Sequence, residues 1–307
     1  KTNSSDLVKA LSHIHGVVEV RHTLPILSNI ILEAKEEELI LSSTNLDIYC
    51  ADRIKSETSV SGEISVPAST FFEIVKRLPA GSDVIMSTSD SGNELILKCG
   101  RSKFNLSTLN TDDFPIISEN DLTINFVVSA EELIRMIDKT KFAISNEETR
   151  YYLNGIFFHK AERNSISFLR AVATDGHRLA QYDIPLPQGA EEITGIIIPK
   201  KTMFELRKVL DDANGDVSIS LNENKIKFAF NELKIISKVI DGTFPDYTKV
   251  IPENNDKTFK TINKDLKDAI DRVSAVAINE EIKSKAIKFS LDSNKLYLSV
   301  ESQSKGS

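Results

Sequence analysis

Cysteine is scarce in this chain: Cys50 and Cys99 are the two that its 307 residues contain. Two thiols cannot build a disulfide framework, and their separation lacks metal-ligand spacing, so a reducing cytosol is the expected home. Long apolar runs are missing as well. None approaches the roughly 20 residues that span a bilayer, and the N-terminus has no positive segment leading into a signal-like apolar core. Neither export nor membrane insertion is signalled, and a cytoplasmic protein without a membrane partner is expected. Positive charge is in deficit, with 38 Lys and Arg against 45 Asp and Glu and a formal net charge of −7. Overall attraction therefore does not draw the chain onto nucleic acid, which leaves room for a local basic surface. Also absent are a GxxxxGK[ST] phosphate loop, an HExxH pair, a nucleophile elbow and a close Cys/His ligand set. No metal, no cofactor and no catalytic residue is expected.

What is present is repetition. With 40% apolar and 27% charged residues the chain can bury ordinary globular cores, and its length suits two or three domains. The segment TLNTDDFPI at 108–116 resembles VIDGTFPDY at 239–247, an offset of 130 residues. Earlier, VPASTFFEIVKRLPAG at 66–81 lies over IPKKTMFELRKVLDDANG at 198–215, at offset 132. In each, a proline leads into a helix, with Phe71, Ile74, Val75 and Leu78 forming one apolar face and Phe204, Leu206, Val209 and Leu210 the other. Alternating runs follow, DVIMSTS and ELILKC in one unit and DVSISLN and KIKFAF in the second, as antiparallel strands require. Three opening helices share a pattern too: Leu7, Ala10 and Leu11; Leu133, Ile134 and Ile137; Leu266, Ala269, Ile270 and Val273. Ser4, Ser129 and Asn263 are the expected N-caps. The pattern predicts an α+β protein of repeated modules. Its third copy is represented by its first half, and about 60 or more further residues are expected to complete it, judging by the earlier periods.

The helices carry basic residues: Lys76 and Arg77 in one copy, Lys200, Lys201, Arg207 and Lys208 in the other. Facing a common channel, they would contact phosphates without reading bases. Equally, Glu73, Glu205 and neighbouring acids could pair with them on a solvated face. Asp residues beside the two Phe-Pro turns are expected to accept backbone N–H bonds rather than form a carboxylate site. His13 and His15 fit a helix face or its end better than a metal site.

The octet ATDGHRLA, Ala173 to Ala180, is the densest cluster of reactive side chains. Asp175, His177 and Arg178 could act as an orienting acid, a base and an anion clamp, which is the hydrolase reading. The repeat alignment places Thr44-Asn45-Leu46 over Thr174-Asp175-Gly176. That overlay favours a shared strand end on which one loop has specialised for docking, or a turn pinned by Asp175 and Arg178.

Taken together, RHTLPILSNIILEA, LSSTNLDIYC, VPASTFFEIVKRLP, FNLSTLNTDDFP, RYYLNGIFF, VATDGHRLA and DGTFPDYTKVIP resemble the bacterial sliding clamps, the beta subunits of DNA polymerase III. The resemblance covers nearly the whole chain in the same order. It implies a DNA-clamp fold: a head-to-tail homodimeric ring around double-stranded DNA, helices lining the hole and sheets outside. The domains implied are 1–121, 122–252 with the docking loop, and a partial third at 253–307. It also implies a non-catalytic processivity factor that tethers the polymerase III alpha subunit, is loaded through the clamp-loader delta subunit, and binds other proteins bearing clamp-binding linear motifs. By resemblance, the peptide cleft comprises Tyr152, Leu153, Thr174, Gly176, His177, Arg178, Leu179, Pro245 and Val250. Arg21, Tyr151 and Tyr152 join the basic helix residues along the DNA path, with Glu147 standing where a relative has a glutamine. Phe104 and Leu106, with Val276 and Ile278 as their reciprocal half, form the ring seam.

Overall fold

The structure is a computed structural model that describes residues 1–19, 23–275 and 286–300. Two compact units divide it, Lys1–Pro245 and Asp246–Ser307. Inside the first, one module occurs twice. The first copy runs β1 (Thr2–Asn3), α1 (Ser4–Ile14), β2 (Asn29–Lys35), β3 (Glu38–Thr44), β4 (Ile48–Lys55), β5 (Gly62–Pro67), α2 (Ala68–Val75), β6 (Asp83–Thr88), β7 (Glu94–Cys99) and β8 (Ser102–Ser107). The second repeats that order as β9 (Ile124–Ser129), α3 (Ala130–Thr140), β10 (Gly155–Arg163), β11 (Ile166–Thr174), β12 (Leu179–Pro185), β13 (Ile196–Pro199), α4 (Lys200–Val209), β14 (Asp216–Leu221), β15 (Lys225–Phe230) and β16 (Leu233–Lys238).

Sheet topology makes the duplication explicit. The first copy forms the sheets β1-β6-β7-β8 and β5-β2-β3-β4, and the second forms β9-β14-β15-β16 and β13-β10-β11-β12. All of these pairings are antiparallel. The two modules then share a sheet, because β4 pairs with β16 in the register Ala51↔Lys234, Cys50↔Ile235, Tyr49↔Ile236 and Ile48↔Ser237. Eight strands thereby run continuously from β5 to β9. Among the described residues β8 and β12 each form one open edge of their sheets.

The period-two pattern explains which strand face turns inward. In β15, Ile226, Phe228 and Phe230 are buried while Lys225 and Lys227 face out. There they meet the connection between the modules: Lys225 pairs with Asp121 at 2.6 Å, and Glu119 takes Lys227 at 3.0 Å and Lys234 at 2.9 Å. Burial holds the shared core together, and these partly exposed pairs fix where the connecting segment lies.

The helices cover the inner faces of the sheets. Proline supplies the N-cap residue of both α2 and α4, Pro67 with φ −59° and Pro199 with φ −57°, so the entry angle is set by the ring itself. Leu7, Ala10 and Leu11 of α1 and Leu133 and Ile137 of α3 are buried as expected, with Ile134 partly buried and Met136 fully so. For the α4 face three of the four expected residues are buried, and Met203 takes the place of Phe204. Met203, Leu206, Val209 and Leu210 enter the core, whereas Phe204 is 37% exposed with Lys200 Nζ 5.5 Å over its ring. Phe204 and its equivalent Phe72 sit one position beyond the buried pair Met203 and Phe71, a shift of about 100° around a helix.

Two of the three expected N-caps are corrected. Ser129 does cap α3, accepting from the Glu132 N–H at 3.2 Å. At α1 the cap is Asn3, which accepts from Ser5 N–H at 2.8 Å; Ser4 is buried, its hydroxyl donating to Pro79 O. At the helix Asn263–Ser274 the cap position is Ile262, without a side-chain bond. Beside the first Phe-Pro turn, Asn110 rather than an Asp accepts a backbone bond, from Asp112 N–H at 3.1 Å; beside the second, Asp246 accepts from Thr248 N–H at 3.3 Å.

The second unit contains the turn Tyr247–Val250, the helix α5 (Asn263–Ser274) and the hairpin β17 (Lys288–Asp292) and β18 (Lys295–Ser299). Leu266, Ala269, Ile270 and Val273 are partly buried along one face of α5, at the spacing that the pattern predicts.

The α4 face gives a direct test by chemical denaturation. Met203→Ala is expected to lose about 2–5 kcal/mol of stability, as for a fully buried side chain, and Phe204→Ala less than about 1 kcal/mol.

Candidate functional site

The octet at 173–180 is a hairpin turn, and its geometry is written by hydrogen bonds that recur in the other module. Thr174 Oγ1 donates to Arg178 O at 2.8 Å and accepts from Gly176 N–H at 3.1 Å. Asp175 Oδ1 accepts from His177 N–H at 2.9 Å and Arg178 N–H at 3.0 Å. In the first copy Thr44 Oγ1 donates to Ile48 O at 2.9 Å and accepts from Leu46 N–H at 3.3 Å, while Asn45 Oδ1 accepts from Asp47 and Ile48 N–H at 3.2 and 2.8 Å. Threonine and an Asx residue therefore build the same turn twice.

The third turn position needs a left-handed backbone, with φ +87° at Gly176 and +78° at Leu46. Leucine adopts this at a cost of roughly 1–2 kcal/mol, and Leu46 offsets it by packing on Ile26, Leu27 and Ile31. Gly176 is exposed and also closely approached: a Cβ there would lie 2.8 Å from an Arg150 guanidinium nitrogen. Arg150 in turn pairs with Glu147 at 2.6 Å, so the carboxylate at 147 is neutralised locally.

This use of Asp175 decides against the hydrolase reading. Its second oxygen takes Arg178 Nε at 3.0 Å. Burial opposes its charge, but the two backbone N–H groups and the Arg178 guanidinium outweigh that and hold the carboxyl below the usual range. The His177 ring is exposed and makes no hydrogen bond to Asp175 among the described residues, so no acid orients it as a base.

What the turn does is border a partly apolar surface. Arg178 lies over the exposed Phe142 ring, 5.8 Å from its centroid. Through Arg150 the turn touches the segment Glu148–Leu153, where Tyr151 and Tyr152 meet edge-on at 5.8 Å between centroids. Both tyrosines lie against Gly242, with Tyr152 Cβ 3.1 Å from the position of an added Cβ. Beside that glycine Phe244 is buried, stacked on Phe157 at 4.8 Å, and Pro245 is exposed. Thr174, Gly176, His177, Arg178 and Leu179 thus lie in one neighbourhood with Tyr151, Tyr152 and the stretch ending in Pro245. Leu153 is buried beneath, its carbonyl accepting from Ser145 N–H. Val250 belongs to the second unit and is 69% exposed. Arg150 and Phe142 were missed from sequence; Arg150 opens the RYYLNG stretch, whereas nothing local marks Phe142.

Most of the basic helix residues have acidic or amide partners. Arg77 pairs with Glu73, and Lys200 with Asn146 Oδ1. Lys201 meets Glu19 at 2.7 Å, Lys208 meets Glu205 at 2.7 Å, and Arg207 bridges Asp138 at 3.0 Å and Asp211 at 2.9 Å. Arg207 is accordingly a tie between α3 and α4, whereas Lys76 is exposed and unpaired by any acid within ion-pair distance among the described residues. Phe104 and Leu106 lie on the open-edge strand β8, Leu106 buried and Phe104 partly so. Phe104 also lines a groove of about 520 Å³ with Ile74, Leu78 and Arg77. Arg21, Val276 and Ile278 lie outside the described residues. Among the described residues, no His/Cys/Asp/Glu group could hold a metal and no helix is long and apolar enough to cross a membrane.

Two copies of a helix-on-sheet module sharing one sheet, with Asp175 committed to its own turn, define a scaffold of the DNA-clamp class. Comparisons with known proteins place it within that class. Residues 2–118 match the family described as DNA polymerase III beta subunit, N-terminal domain, and residues 127–246 match its central domain. The beta sliding clamp of Caulobacter vibrioides is 44% identical over 300 residues, spanning 98% of this chain and 80% of the relative. That of Pseudomonas aeruginosa is 38% identical over 276 residues, spanning 90% and 73%. A crystal structure of the Caulobacter crescentus beta sliding clamp superposes with TM-score 0.95 at 43% identity, covering 99% of this chain and 80% of that one. A Bartonella birtlesii sliding clamp bound to griselimycin gives TM-score 0.94 at 39% identity, covering 99% and 81%. The chain belongs to the DNA polymerase III beta sliding clamp family. Its function is that of a bacterial DNA replication processivity factor, a sliding clamp that is itself not catalytic. The family works as a homodimeric clamp that encircles DNA.

Gly176→Ala tests the turn. It is expected to cost about 1–2 kcal/mol from left-handed strain alone, seen as a lower denaturation midpoint, and the displaced Arg150 should give altered side-chain NMR shifts.

Proposed function

We propose that this chain closes its ring through repetition of the β4–β16 relation and uses the surface around the 174–179 turn to capture linear peptide motifs. The carrying observation is the seam itself: strand four of one module joins the last strand of the next. The equivalents of those strands, β12 and β8, are open edges among the described residues. A relation that carries each module onto another head to tail is heterologous, and such contacts propagate until they close. Phe104 and Leu106 on β8 supply an apolar edge for another copy. In this reading residues 1–121 and 122–252 are the first two clamp domains and a third begins at 253.

A closed ring holds DNA topologically, so its phosphate contacts can be weak enough to allow sliding. Lys76, Lys200 and the more loosely paired basic residues provide them, with Tyr151 and Tyr152 alongside. Residues Tyr152, Leu153, Thr174, Gly176, His177, Arg178, Leu179 and Pro245 form this unit's share of the peptide site. The partners proposed are the polymerase III alpha subunit, the clamp-loader delta subunit and other motif-bearing proteins, all in the cytoplasm. An inserted Leu or Phe would gain about 1.5–3 kcal/mol from burial before ordering costs.

Retention after incubation with a clamp loader tests the ring: the protein should stay on nicked circular duplex DNA and run off when that DNA is linearised. Equal loss from both would refute topological binding. For the peptide surface, Leu179→Ala should weaken binding of a Leu/Phe-bearing motif peptide roughly tenfold, as about 1.4 kcal/mol implies; an unchanged Kd removes Leu179 from the site.

A further inference from the structure

The junction between the two modules has a second side, away from the shared sheet. His13 in the last turn of α1 is buried between two carboxylates, with Nδ1 2.7 Å from Asp52 Oδ2 on β4 and Nε2 2.8 Å from Asp212 Oδ2 of the second module. Asp212 closes the single turn Leu210–Asp212 that continues α4. An ionised carboxylate can only accept, so both ring nitrogens must donate, and a neutral imidazole has one N–H. The geometry is that of an imidazolium clasped at both ends.

We propose that protonated His13 is a staple locking the helix side of this junction, and that its loss of a proton leaves the β4–β16 sheet as a hinge between the modules. On the sheet side the four-residue ladder is independent of pH. On the helix side the other ties among the described residues are few. Lys201 Nζ reaches Glu19 and Val17 O across the modules, and Glu205 packs on Gly16, where any Cβ would collide with its carboxylate at 2.0 Å. The charged and titratable groups around His13 are Asp52 and the Cys50 thiol from β4, Lys9 and His15 from the same helix and its extension, Asp212 and Glu205. Lys9 lies 3.7 Å from Asp212 and Cys50 Sγ 3.8 Å from His13 O.

The sign follows from the balance at His13. Burial alone lowers its pKa, but the hydrogen bonds and charges of Asp52 and Asp212 outweigh burial and raise it above the ordinary histidine value. Asp212 is held below its usual range, first by the His13 hydrogen bond. A histidine raised in the folded state contributes stability that is complete below its unfolded pKa and lost as pH rises through the folded one. The staple is thus engaged below the ordinary histidine value, down to the carboxylate range, and released as pH rises through the raised one. His15, whose pKa burial lowers, loses its proton at lower pH than His13 does, and the Cys50 thiol, pushed well up by burial, stays protonated. Neither mimics the transition.

The test combines NMR titration of the His13 ring with amide hydrogen exchange of the intact protein from about pH 5 to about pH 9, corrected for intrinsic rates. His13 should titrate above about 6.5. Exchange at Leu210–Ala213 and His15–Val18 should accelerate through that same pH while the β4 and β16 ladder stays protected. The total rise should be about tenfold for each unit by which His13 exceeds its ordinary value. His13→Gln should exchange fast at every pH, and Asp212→Asn should shift the transition to lower pH. The proposal is overturned if His13 titrates at or below its ordinary value, if junction exchange is flat across the range, or if the pH transition persists in His13→Gln. The wild-type titration and Asp212→Asn decide the matter even where His13→Gln fails to fold.

Discussion

Main-chain pairing of β4 with β16 is the constraint on which the rest of this molecule depends. Four residue pairs merge two sheets into one, and the side chains at the join, Cys50, Ile235 and Ile236, are among the most buried in the chain. Because the register is fixed by inward and outward alternation, a slip of one residue would turn Tyr49 and Ile236 to the wrong face. The orientation of one module on the next is therefore set by the backbone, and the side-chain ties across the junction adjust how rigidly it is held.

Repetition then converts a local constraint into an assembly. Both modules have the same two sheets in the same strand order, so the surface that one offers at β4 the other offers at β12, and likewise for β16 and β8. The two roles proposed for the module fall on opposite features of it: topological retention on the shared sheets, peptide capture on a single turn. That turn is inherited in shape from its counterpart at Thr44–Ile48, with the threonine and Asx hydrogen bonds retained. What differs is exposure, because Leu46 is packed whereas Gly176, His177 and Arg178 are open to a ligand.

The module, its helices and the turn were legible in sequence because they rest on local rules: proline at Pro67 and Pro199 sets helix entry, alternation marks strands such as β15, and a Thr-Asx pair marks the turn. The correction from Phe204 to Met203 shows the limit of those rules, since the two are adjacent apolar residues and packing chooses which of them enters the core. Wholly long-range features were not legible. No spacing announces that His13 will meet Asp212 across 199 positions, that Arg207 will be held by Asp138, or that β4 and β16 will pair. The basic residues were read as a set by composition, while their geometry divides them into ties such as Arg207 and solvated charges such as Lys76.

Hydrogen exchange along β8 in the dimer is the most direct measure of the central claim, that one strand relation builds both the intrachain junction and the ring. If the claim holds, amides of Ser102–Ser107 that point away from β7 will be protected in the dimer to the degree seen along β4 and β16, and will lose that protection on dilution to monomer. A dimer in which those amides exchange at open-edge rates would contradict it.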